Sequence, residues 1–169
     1  MKDYDRTFPP LLSELLDIEV DMETMEFEPY TQFAPAEENR EWIRAWTGNQ
    51  ELNGEEYRFF GQDGTGGLVG FWLTETHECV LEQPVVFFGS EGEFRVLAVD
   101  FFDYLWILAG GLGPMEATEY GPASGNPVPS FETFARAHAP DAVKTPAAAL
   151  EAASKKYPNF DRDFRALLR

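Results

Sequence analysis

The apolar positions change period along the chain, and each change marks an element. Residues 8–16 (FPPLLSELL) place Leu11, Leu12, Leu15 and Leu16 at spacings of three and four. That is the stripe of a short amphipathic helix, and Pro9 and Pro10 suit its entry because proline is tolerated in a first turn. From Leu16 to Glu23 the spacing drops to two: Leu16, Ile18, Val20 and Met22 alternate with Asp17, Glu19, Asp21 and Glu23. Period two predicts a half-buried strand with a ladder of like charges on its outer side, a helix being the competing reading. Glu26 and Glu28 extend the acidity after a register shift near Thr24. Helical spacing returns over residues 35–46. Pro35 opens that helix, Glu37 and Glu38 sit where the dipole favours anions, and Arg40 and Arg44 lie further along. Trp42, Ile43 and Trp46 form its apolar face, and Gly48-Asn49 ends it.

The middle of the chain reads as two hairpins and a buried helix. Residues 55–61 and 67–74 are strands joined through Gly61–Gly67, and residues 84–89 and 93–99 are strands joined through Gly89–Gly92. Short glycine-bearing turns connect antiparallel strands. Residues 100–110 (DFFDYLWILAG) are apolar almost all round, with Asp100 placed to cap, so this helix is expected to lie buried against the sheet. A Pro/Gly-rich linker spans 120–129, followed by amphipathic helices near 130–138 and 145–157 and a last turn around 161–168. The expected fold is α+β: a single domain over 1–169, with a mostly antiparallel β-sheet flanked by N- and C-terminal helices, a core at 27–114 and a C-terminal helical segment at 130–169.

Composition sharpens this picture. With 44% hydrophobic and 15% aromatic residues over 169 positions, the chain has apolar area enough for one real core, which excludes global disorder. The formal net charge is −17, and it is polarised. Residues 1–60 carry 15 acids and 5 bases, residues 61–120 carry 10 and 1, and residues 121–169 carry 5 and 7. Such a field repels phosphate backbones and anionic lipid headgroups and attracts basic proteins, so direct nucleic-acid and membrane binding are not expected. The one cysteine, Cys79, rules out an internal disulfide and fits a reducing compartment. No apolar run approaches the length of a membrane span, and acids and prolines stand where a signal peptide needs basic then apolar residues, so a soluble cytoplasmic protein is expected.

Motifs with chemistry are few. The glycine run at 61–67 lacks the lysine of a phosphate loop and precedes a strand, so a hairpin is the better reading. His77, Glu78 and Cys79 are consecutive, with His138 the only other histidine. Alternating side chains do not make a zinc site or a nucleophile dyad. No pair among the thirty acids is marked out for catalysis, and no metal or cofactor is expected. Trp42/Trp46 and Phe101/Trp106 sit at helical spacing and are read as core. What stands out is acidity. Asp17, Glu19, Asp21, Glu23, Glu26, Glu28, Glu37, Glu38 and Glu41, with Tyr30, form the candidate partner-binding patch, either a solvated surface or a docking face for a basic partner.

The stretches FEPYTQF (27–33), EWIRAWTGN (41–49), FFGQDGTGGLVGFWL (59–73), PVVFFGSEGE (84–93) and DFFDYLWILAGGLGP (100–114), in this order, resemble a bacterial branch of the SUKH superfamily, the Smi/Knr-like family. The resemblance runs over about 27–114, more weakly into the C-terminal helices. It implies an α+β domain and a non-enzymatic role as an immunity-type protein that binds and neutralises a toxin domain, often a nuclease or deaminase. It carries over no catalytic residue. Nuclease toxins are basic because they bind phosphate, and a chain of charge −17 has the complementary field. The alternatives are a general interaction module with a non-toxin partner, a charge mimic of DNA, and a carboxylate-dependent hydrolase.

Overall fold

The computed structural model describes residues 6–19, 25–74, 79–119, 121 and 125–169. Within them the fold is α+β, built on one antiparallel sheet of five strands in sequence order: β1 (Glu28–Pro29), β2 (Tyr57–Gln62), β3 (Leu68–Trp72), β4 (Val85–Phe88) and β5 (Phe94–Ala98). The helices are α1 (Pro10–Glu14), α2 (Ala36–Thr47), α3 (Phe101–Ala109), α4 (Pro114–Glu119), α5 (Pro129–His138), α6 (Pro146–Lys156) and α7 (Phe160–Arg165).

Strand β4 shows why the sheet is covered on both faces. Val85 and Phe87 enter one apolar cluster and Val86 and Phe88 the other, and all four are buried. A strand covered on both sides reads as an unbroken apolar run, which is what VVFF is. On one face, α3 lies at the centre of a large core with α1, α4 and α5 around it. Asp100 caps α3 by accepting from the Asp103 backbone N–H at 2.8 Å, and the Trp106 indole donates to the Ala139 carbonyl at 3.0 Å. On the other face, α2 and α7 press aromatic side chains onto Phe59 and Phe88. Helix α6 gives Ala149 and Leu150 to the first core and Ala153 to the second, so it straddles the β5 edge. The opposite edge is blunted by the brevity of β1 and by Pro29.

The end of α2 is fixed by the rest of the chain. Gly48 takes the left-handed conformation at φ +69°, and a Cβ there would lie 2.7 Å from the Arg169 carbonyl oxygen. Arg169 in turn donates its backbone N–H to the Thr47 carbonyl at 2.9 Å. Glycine is therefore required by conformation and by close approach together.

Two expectations need correction. Residues 16–23 were expected to form a strand. Instead Leu15–Asp17 form a 3-10 turn that continues α1, Ile18 and Glu19 follow it irregularly, and Val20–Glu23 fall outside the described residues. The helical stripe wins: Leu12 and Leu15 are buried, whereas Leu16, on the proposed inner side of the strand, is 45% exposed. Trp42 and Trp46 are not sealed core residues either. They are half-buried and stack with ring centres 6.1 Å apart at the margin of the second cluster. The linker at 120–129 lies partly outside the described residues, as do His77 and Glu78. Pro129 opens α5 at its end.

Candidate functional site

The β2–β3 turn is built by one carboxylate. Asp63 is buried and accepts from the backbone N–H of Thr65 at 3.0 Å and of Gly67 at 2.7 Å, and from the Thr65 hydroxyl at 3.0 Å. Its own N–H donates to the Gly67 carbonyl at 3.0 Å. Two amides that a phosphate loop would turn to its ligand are thus spent on an internal anion, and the glycine run is a hairpin. Ser90, at the tip of the β4–β5 hairpin, donates to the Thr65 hydroxyl at 3.0 Å and ties the two tips together.

Two depressions flank this tip. The first is a groove of about 520 Å³ between the β2–β3 turn, the loop from Tyr30 to Pro35 and the first turns of α2. Phe33, Trp42, Leu68 and Tyr30 give it apolar walls, and Glu38 stands exposed on its rim. The Tyr30 hydroxyl donates to Gln62 Oε1 at 2.9 Å, and Gln62 Nε2 donates to the Glu28 carboxylate at 2.9 Å. Partial burial, then the carboxylates of Glu28 and Glu38, push the Tyr30 hydroxyl above its ordinary pKa, because each disfavours the tyrosinate. Asn39 lies in the groove wall and is 1% exposed. Its amide nitrogen donates to the Tyr57 carbonyl at 3.1 Å, while its buried Oδ1 has no hydrogen-bond partner. A buried acceptor left unpaired costs about 1–3 kcal/mol.

The second depression, about 460 Å³, lies on the other side of the tip. It is lined by Glu26, Glu91, Glu93, Glu116 and Glu119 with Thr65, Ser90 and Met115. Glu116 accepts from the Glu26 backbone N–H at 3.0 Å. Among the described residues, no group of three His, Cys, Asp or Glu side chains is arranged to hold a metal ion.

The expected acidic patch is thereby divided. Glu28, Tyr30 and Glu38 come together at the groove, and Glu26 goes to the second depression. Glu37 and Glu41 are exposed on α2, Glu37 paired with Arg40 at 3.1 Å. Asp17 and Glu19 are exposed beside the end of α1, where the Glu19 carbonyl accepts from the Ser130 hydroxyl at 3.4 Å. Asp21 and Glu23 lie outside the described residues. Sequence reasoning missed Phe33, Asn39 and Gln62 in the groove, treated Trp42 as core, and missed Glu91, Glu93, Glu116 and Glu119 as a cluster. The available signal was topological: in a meander the two hairpin tips share one end of the sheet, so side chains beside them become neighbours. Among the described residues no helix is long and apolar enough to cross a membrane. Comparison with family models, with curated proteins and with solved structures finds no match.

Proposed function

We propose that this chain is a non-enzymatic protein-binding domain of the SUKH type that captures a basic partner, in the manner of an immunity protein neutralising a toxin domain of nuclease character. The observation that carries the reading is the aromatic-walled groove with Glu28 and Glu38 beside it, on a chain of net charge −17. Interfaces concentrate their energy in such places, where aromatic walls exclude water around a few polar contacts. The surrounding negative field speeds encounter with a cationic surface and disfavours acidic competitors. The order of the motifs from residue 27 to residue 114 supports the SUKH assignment, and the toxin-directed role follows from that resemblance.

The test is capture from the host's lysate on the tagged chain, washed at low and at high salt, followed by titration of the retained protein's catalytic activity. The expected result is one basic protein in equal stoichiometry, kept at high salt, whose activity falls as the chain is added. A scatter of basic proteins lost at high salt would reduce the acidity to a nonspecific field. A single retained partner with no toxic activity would make the chain a general interaction module instead.

A further inference from the structure

We infer that the groove between α2, the Tyr30–Pro35 loop and the β2–β3 turn receives an arginine side chain projecting from the partner. The inference rests on the protein-binding reading above and adds the chemistry of the residue recognised. Three features of the groove favour that side chain in combination.

The first is the wall. Tyr30 and Trp42, both half-buried, offer aromatic surface in the groove, and the buried Phe33 lines it as well. A guanidinium is planar and weakly hydrated and stacks on such faces, which an ammonium does less well. The second is charge. Glu38 is on the rim, and both Glu28 and Glu38 act on the Tyr30 hydroxyl strongly enough to raise its pKa, so their field reaches into the groove. The third is the unpaired acceptor. Asn39 lines the groove and its buried Oδ1 has no donor, and flipping the amide would break its bond to the Tyr57 carbonyl. An incoming N–H that reaches Oδ1 relieves that cost. A guanidinium has five N–H donors spread over one plane, enough for a carboxylate and an amide oxygen together. A neutral apolar side chain would leave both Glu38 and Asn39 unserved. A carboxylate or phosphate would meet repulsion. The second depression lacks the aromatic wall, so its five glutamates attract lysine and arginine alike.

The test uses three blocked hexapeptides, hexa-arginine, hexa-lysine and hexa-citrulline, titrated into the full chain with the Trp42 indole and Asn39 amide signals followed by NMR. The expected result is saturable shifts at both groups, hexa-arginine binding about five- to ten-fold more tightly than hexa-lysine, and no binding of the neutral peptide. Glu38→Gln, an exposed and conservative change, is expected to remove most of the arginine preference. Glu119→Gln, in the other depression, is expected to retain it. Equal affinities for arginine and lysine, or an equal response to the two variants, would overturn the inference. So would a basic partner that binds the Glu38→Gln chain as tightly as the parent, a result that leaves the protein-binding reading standing.

Discussion

The two depressions beside the β2–β3 turn share the sign of their charge and differ in everything else. One holds Glu38 at the rim of a groove lined by Tyr30, Phe33, Trp42 and Asn39, whose buried Oδ1 is unpaired. The other gathers five glutamates around two hydroxyls and Met115. Thr65 belongs to the second and Gly66 to the first, so the boundary between them is one peptide unit wide. The difference teaches that acidity alone gives a long-range, salt-screened attraction. Selectivity requires apolar walls that exclude water and polar groups that only one chemistry satisfies.

The most damaging way to break the comparison is to remove the wall between the two sites. Asp63→Ala deletes the buried acceptor that holds Thr65 and Gly67, leaving the buried Gly67 amide unpaired and the Thr65 turn untied. The expected loss is about 3 kcal/mol in urea unfolding, since hydrogen bonds to a charged group are worth about 1.5–3 kcal/mol each and do not add fully. Asp63→Asn keeps an acceptor oxygen and is expected to lose about half as much. Equal losses for the two would mean that the charge, and not the acceptor geometry, organises the turn.

A smaller effect separates the two sites by charge. Glu91 and Glu119 are exposed and share their depression with Glu26, Glu93 and Glu116. Replacing both by glutamine is expected to stabilise the chain by a few tenths of a kcal/mol at low salt, through relief of like-charge repulsion, and by less at high salt. The same substitutions are expected to leave the groove's amide and indole signals in place. Destabilisation at low salt would mean that the cluster is held together by a cation and is not merely a repulsive surface.

Much of the scaffold was legible in the sequence, and little of the site was. Helix α3 announced itself through Asp100 and a nearly continuous apolar surface, and β4 through VVFF, because burial on all sides needs no periodicity to be read. The alternation over 16–23 misled because α1 runs on into its 3-10 turn, and Leu16 points outward there. Helix α4 was missed because PMEATE has almost no apolar stripe. It is held by the burial of Pro114 and Ala117 and by the bond from the Glu26 backbone to Glu116, ninety positions away. The same long-range geometry hid the groove. Tyr30, Asn39 and Gln62 carry no shared spacing and meet only because β1 pairs with β2 and α2 crosses beside them.

The gentlest probe asks whether the two depressions have separate fields. Tyr30 reports on the groove because burial, Glu28 and Glu38 all hold its hydroxyl pKa above the ordinary value. With a folded pKa above the unfolded one, the hydroxyl contributes stability below the ordinary phenol range, and that contribution is lost as pH rises through the folded value. Deprotonation then costs twice. The bond to Gln62 Oε1 loses its donor, and a new negative charge appears beside two carboxylates. Glu38→Gln removes one of those carboxylates, so the Tyr30 pKa is expected to fall while burial and Glu28 keep it above the ordinary value. Glu119→Gln is expected to leave it where it was. The measurement is a pH titration of the Tyr30 ring signals by NMR in the parent chain and both variants. Equal downward shifts would show that the two depressions share one undivided field. The contrast between them would then rest on the aromatic wall and the unpaired amide oxygen alone.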